Sequence, residues 1–230
     1  MRSLPLAALI LVLAQACTAP TSQATEEAAT AWTPQTLGDS IALAHGYDRW
    51  SEVERFEFAF DVEMNDTLRV ERDWVWYPGT DSVVRTVDDA DLGYVRGTLR
   101  DEAAREADKQ FINDSYWVLM PFWLVWSKGG FSESVERDAT APISGEDATK
   151  YTIVYATEGG YTPGDAYDLY VDADYRLREW VYRKGGQFEP TMTMSWDGYR
   201  DMEGLYLPTR HEGDSPLRIL HPELAVYHVK

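Results

Sequence analysis

The amino-acid sequence predicts a mainly antiparallel β protein with a few short helices laid against one face of the sheet. Three observations carry this. From Val53 to Val87 apolar and polar residues alternate, broken only at short turn signals, the pattern of strands buried on one face. From Phe131 onward further apolar-rich runs follow, separated by Gly-, Pro- and Asp-rich turns. Between the two blocks lies Asn113 to Trp126, NDSYWVLMPFWLVW, dense in aromatic and aliphatic side chains around Pro121. That segment is too short to span a bilayer, which takes roughly 20 apolar residues. It must therefore be buried inside the β structure or cover it.

Taken in order, residues 1–16 read as a secretion signal. Arg2 supplies the positive start and Leu4 to Ala14 an apolar run too short for a membrane span. Leu13-Ala14-Gln15-Ala16-Cys17 then sets small residues before the only cysteine of the chain. This resembles the lipobox of bacterial lipoproteins, with Ala14 and Gln15 departing from its commonest residues. The resemblance implies that Cys17 becomes a lipidated first residue; an ordinary signal peptide cleaved after Ala16 is the other reading. An acylated Cys17 leaves no thiol for a disulfide, a metal or nucleophilic catalysis. After Cys17, residues 18–31 are Thr, Ala, Ser, Gln and Glu with one Pro and no apolar period, so 17–31 reads as a flexible tether. Residues 32–230 contain no linker-like composition break and no fixed-period repeat, so they read as one domain.

The formal net charge of −18 excludes a nucleic-acid partner and a basic membrane-binding surface. Membrane attachment would come from the lipid, which in this lipoprotein class implies more than one acyl chain.

Within the domain, Thr33-Pro34 offers a helix start, with Leu37, Ile41 and Ala44 on one face and Gly46 closing it. Gly38 allows a start nearer Asp39, and Trp50 would pin the helix to the domain. Phe56, Phe58, Phe60, Val62 and Met64 alternate with Glu57, Ala59, Asp61 and Glu63 on the first strand. Asn65-Asp66 turns the chain into a second strand, where Leu68, Val70, Trp74 and Trp76 alternate with Arg69, Glu71 and Asp73. Arg72 falls on its apolar face. Pro78-Gly79 leads to a third strand, Val83 to Val87, and the three make a meander. Asp88-Asp89-Ala90-Asp91 reads as a polar loop, lacking the spacing of a calcium loop. Thr98-Leu99-Arg100-Asp101 reads as a capping box for a helix with Ala104, Ala107 or Ala103, and Phe111 on one stripe. Pro121 forbids an unbroken helix, which is expected to end near Met120. Later strands are read at Phe131–Val135, Lys150–Ala156, Tyr167–Val171, Leu177–Arg183, Met192–Trp196, Tyr206–His211 and Ala225–Val229.

Lipobox, short helix, meander, helix and further strands together resemble the lipoprotein carrier and receptor (LolA/LolB-like) superfamily. Three stretches point to an uncharacterised outer-membrane lipoprotein branch of it: Trp117-Val118-Leu119-Met120-Pro121-Phe122, Gly160 to Asp172 (GYTPGDAYDLYVD) and Leu205-Tyr206-Leu207-Pro208-Thr209-Arg210. The resemblance implies a strongly curved antiparallel sheet, an unclosed half-barrel plugged or covered by short helices, with acyl chains on its concave face. It is a resemblance of pattern and assigns no individual binding residue.

No catalytic or cofactor motif is present. His45, His211, His221 and His228 form neither H-x-x-x-H nor H-E-x-x-H and read as helix-end or strand-surface residues. Neither a G-x-S-x-G elbow nor a Walker sequence occurs. The expected protein is therefore non-enzymatic and without cofactor. It would sit in the bacterial envelope as an outer-membrane lipoprotein facing the periplasm, Thr18 following the cysteine where aspartate would signal inner-membrane retention. Nine Trp and 14 Tyr either build a core or line a pocket for a lipid or acyl chain. The candidate wall is Phe56, Phe58, Phe60, Trp74, Trp76, Trp117, Phe122, Trp123 and Trp126, with the last three and Leu124 laid over the sheet. Arg72, costly to bury alone, needs an acidic partner or the anionic head of a ligand, unless it snorkels to the sheet rim. The alternative is an envelope interaction protein with a filled core and an acidic outer face for a protein partner.

Overall fold

The computed structural model describes residues 32–99, 101–158 and 163–229. The secretion signal over 1–16, Cys17 and the tether to residue 31 lie outside the described residues, as do Gly160, Tyr161 and Thr162 of the second quoted stretch.

The first helix, α1, spans Leu37–Ala44. Its cap is Thr36 rather than Thr33. The Thr36 hydroxyl accepts from Asp39 N at 3.1 Å, and the Asp39 carboxylate accepts from Thr36 N at 3.0 Å and Gln35 N at 2.9 Å. Three otherwise unpaired donors are thereby satisfied, which Thr33-Pro34 cannot match. Gly46 follows in the left-handed region at φ +87°, where a Cβ would lie 2.0 Å from the Gly204 carbonyl oxygen. A turn of 3-10 helix, Tyr47–Glu52, then delivers the chain to the sheet.

Strand β1, Val53–Met64, pairs with β2, Thr67–Tyr77, setting Phe56 opposite Trp76, Phe58 opposite Trp74 and Phe60 opposite Arg72. Asn65 and Asp66 both take positive φ, 51° and 56°, the two-residue turn whose twist matches a hairpin. Strand β3, Ser82–Val87, extends the meander. The expected polar loop at Asp88–Asp91 is instead a second such turn, Asp88 and Asp89 at φ 49° and 61°, opening a fourth strand, β4, Ala90–Val95. Aspartate tolerates this backbone because its short side chain can bond locally. The weakly apolar ADLGYV run hid the strand.

Helix α2 spans Glu102–Trp126. Asp101, not Thr98, is its cap, accepting from Ala104 N at 2.7 Å; Thr98 belongs to a preceding 3-10 turn, Arg96–Thr98. The helix does not end near Met120. It kinks at Leu119 (φ −120°, ψ 17°) and continues through Pro121. Proline removes one hydrogen bond and strains the preceding turn, but the residues beyond it are anchored by packing: Phe122 and Leu124 are buried.

Strands β5 (Phe131–Thr140), β6 (Asp147–Tyr155), β7 (Ala166–Val171), β8 (Leu177–Arg183) and β9 (Met192–Ser195) form a five-stranded antiparallel meander. A small hairpin follows, β10 (Arg200–Met202) with β11 (Leu205–Leu207). Then β12 (Arg210–Glu212), β13 (Leu217–Leu220) and β14 (Leu224–His228) return to the first sheet. The single strand expected over Tyr206–His211 is thus split at Pro208-Thr209, and β10 and β13 carried too short an apolar pattern to be expected. β13 and β14 run in turn along β1 on the side away from β2. The two sheets meet where Asp197 bridges Arg210 and Glu212 N donates to Ser195 Oγ at 3.1 Å. The result is an open, curved antiparallel half-barrel with α2 packed on its apolar face.

Candidate functional site

The aromatic side chains that alternation places on one face of β1 and β2 are all buried, Phe56, Phe58, Phe60, Trp74 and Trp76 alike. What covers them is mostly α2. Phe111 packs edge-on against Trp74 and Trp76, with centroids at 5.5 and 5.4 Å, and 6.3 Å from Phe58. Phe122 and Trp126 close the same face with Trp50, whose ring lies 5.4 and 5.1 Å from them and 5.2 Å from Trp76. Trp50, in the turn that follows α1, therefore fills the sheet–helix gap. Trp117 and Trp123 go elsewhere. Trp117 turns to the second sheet, 4.6 Å from Trp180, and Trp123 lies tilted 5.1 Å from Tyr116 and stays half-buried. Helical spacing explains the split: Phe111, Val118 and Phe122 share one face once the helix continues through Pro121. Read with the helix stopping at Met120, that stripe was invisible.

Three polar features interrupt this apolar packing. The first is Arg72, whose acidic partner comes from α2. Its Nε and Nη2 donate to Asp114 at 2.7 and 2.8 Å, and Asp114 also accepts from Trp74 Nε1 at 2.9 Å and Asn113 Nδ2 at 3.0 Å. Asp114 is fully buried. Burial pushes its carboxyl up from the usual range, and the Arg72 fork with the other donors pulls it back. The second is a pair of buried histidines, His211 and His221, with rings 5.5 Å apart. His221 Nδ1 donates to the Ala59 carbonyl at 2.8 Å and His211 Nδ1 to that of Ser195 at 3.0 Å. A carbonyl only accepts, so the proton of each neutral ring sits on Nδ1. The Nε2 atoms of both rings are buried without a partner. The third is His45, its Nδ1 2.7 Å from the Ile41 carbonyl. Burial lowers His45 and His221 to about 4 and pushes His211 well below the ordinary imidazole range. All three are buried: His45 is the helix-end residue expected, capping α1, while His211 and His221 are core residues and not the strand-surface histidines expected from the sequence, each seated by a strand carbonyl that no local pattern announces.

The concave face is not covered throughout. Beyond Asp114 and Gln110 it continues through Val62, opposite Val70, and Val87 on β3. There an open cleft of about 490 Å³ is lined by Leu68, Arg69, Val70, Arg72, Arg85 and Val87, with Glu71, Asp88 and Gln110. Arg85 Nη1 donates to Gln110 Oε1 at 2.7 Å, while its Nε is buried without a partner. Arg69 sits at a bulge, an extra β2 residue between Val70 and Leu68 as they pair with Val62 and Glu63. Bulges recur beside sites because they break pairing and re-aim side chains. Among the described residues no helix is long and apolar enough to cross a membrane.

No protein-family model matches the chain, and no curated protein matches it. Among solved structures it is similar to a DUF1329 family protein from Desulfovibrio piger, at 9% identity, over 83% of this chain and 92% of that one, with a TM-score of 0.48. It is also similar to a LolA superfamily protein from Nitrosomonas europaea, at 10% identity, over 84% and 94% of the two chains, with a TM-score of 0.45.

Proposed function

We propose that this chain is a lipidated, non-enzymatic protein of the bacterial envelope that holds an apolar ligand, a lipid or acyl chain, on the uncovered part of its concave face. The observation that carries this reading is the cleft of about 490 Å³ reached by Val70 and Val87 where α2 no longer covers the sheet. That volume is within the range of small-ligand sites. Cys17 would be the lipid attachment, residues 17–31 the tether, and the outer membrane, on its periplasmic side, the place. Native mass spectrometry of protein purified from membranes is the test. We expect lipid bound beyond the covalent anchor, and its loss from a Val70→Asp, Val87→Asp double variant that melts like the parent. Protein carrying only its own anchor would overturn the reading. Independently, Cys17→Ser is expected to leave the membrane fraction or accumulate as precursor.

A second reading is favoured by the filled interior and the acidic convex face. Asp61 is raised to about 6 by burial and by Glu71, Asp73, Glu63 and Glu223 around it, a repulsion that a basic protein partner would relieve. Chemical crosslinking in intact cells that captured one envelope protein, lost on Asp73→Lys with lipid binding absent, would establish this role instead.

A further inference from the structure

The arginines at the cleft are at odds with the chain that carries them. The protein has 39 acidic and 21 basic residues, and most of its arginines answer a carboxylate. Arg55 pairs with Glu57, Arg96 with Asp108, Arg178 with Asp172, Arg183 with Asp168, and Arg218 with Glu63 and Asp66. Arg72 belongs to this majority through Asp114. Arg69, which is exposed, and Arg85 do not, nor do Arg137, Arg176 and Arg200 elsewhere: among the described residues none of these has a carboxylate within ion-pair distance, although Glu71 and Asp88 line the cleft of the first two. Arg85 cannot be dismissed as a solvated surface side chain, since it is half-buried and its Nε is buried without an acceptor. A guanidinium left short of acceptors in a partly desolvated position is costly. A planar fork of donors is matched best by a carboxylate or a phosphate. Leu68, Val70 and Val87 stand beside these groups, and Leu68 is 46% exposed.

Resting on the reading of the concave face as an apolar-ligand site, we infer that the cleft selects anionic amphiphiles, with Arg69 and Arg85 holding a phosphate or carboxylate head while the chain lies on Leu68, Val70 and Val87. Arg72 is not counted as a head contact, because its fork is already committed to Asp114. Glu71 and Asp88 tune the site from the other direction by repelling the head.

The test is titration of the full chain with dodecyl phosphate, dodecanoate, a neutral dodecyl maltoside and inorganic phosphate, followed by intrinsic tryptophan fluorescence and calorimetry below the micelle threshold. Both anionic probes are expected to bind at least tenfold tighter than the neutral one, with an advantage that shrinks as salt rises. Arg69→Gln with Arg85→Gln should remove that advantage and leave the affinity for the maltoside unchanged. Asp88→Asn should increase it. Equal binding of charged and neutral probes, or a double variant that keeps the preference, overturns the inference while leaving the apolar site standing. Inorganic phosphate binding as tightly as dodecyl phosphate also overturns it, since the cleft would then be a plain anion site. If no probe binds at all, the apolar-site reading falls and this inference with it.

Discussion

The same strands meet two different fates at the two ends of the concave face. Under α2 the rows Phe56–Trp76 and Phe58–Trp74 are sealed by Phe111, Phe122, Trp126 and Trp50. One row on, Phe60–Arg72 is the border, and past it Val62 and Val70 are only half-buried, beside the cleft. In the sealed part the charges are removed or paired: burial keeps the histidines neutral and Asp114 answers Arg72. In the open part Arg69 and Arg85 keep unanswered charge. The alternation of β1 and β2 is continuous across the border, so strand pattern does not create the difference. It comes from where α2 lies, and Asp114, reaching Arg72 and Trp74 together, marks the limit of the cover.

The comparison can be broken hardest from the sealed side. Phe58→Asp puts an unpaired charge into full burial and should abolish the folded state, read as loss of soluble yield and of cooperative melting.

Acid should act next most strongly, through the buried histidines. His45 and His221 titrate near 4 in the fold against 6.5 unfolded. A depressed imidazole means that the unfolded chain takes up protons first, so stability is full above about pH 6.5 and is lost as pH falls toward 4. Each contributes roughly 3 kcal/mol of that loss by pH 4, and His211 adds in the same direction. Asp61, raised to about 6, opposes them as pH falls from 6, less strongly because it is partly solvated. Denaturation midpoints that did not fall between pH 7 and pH 4.5 in Asp61→Asn would contradict the buried neutral histidines.

Asp114→Ala should cost about 3–5 kcal/mol, because it strands the Arg72 charge and the Trp74 N–H beneath the helix. Asp114→Ala with Arg72→Leu should recover much of it. A double variant no more stable than Asp114→Ala would show that the pair does not set the border.

Within α2, Phe122→Ala should lose about 3–5 kcal/mol as a buried aromatic. Trp123→Ala, half-buried against Tyr116, should lose roughly 1–2 kcal/mol by the same scale. Equal losses would mean that the helix is rotated from the position described. The smallest effect is expected for Glu57→Lys on the convex face, within about 0.5 kcal/mol in urea titration, next to a Phe58 whose replacement destroys the fold.

What the sequence by itself determined is what short-range physics determines. Successive strand side chains point to opposite faces, so the period-two rows of β1 and β2 named their buried aromatics directly. Aspartate, asparagine and glycine marked the turns because few residues tolerate their backbone angles. The odd position of Arg72 on an apolar face was equally legible, together with the need for a partner. Which partner it found was not, because Asp114 lies 42 residues along the chain and looked like part of a polar helix end. The passage of α2 through Pro121 was decided in the same way: a local rule stops the helix, and burial of Phe122 and Leu124 against strands distant in sequence outweighs one lost hydrogen bond. The short strands β10 and β13, the seats of His211 and His221, and the split of the concave face into a sealed and an open part all depend on contacts between segments far apart in the chain. Local propensity carries no record of those contacts, so only the tertiary structure could settle them.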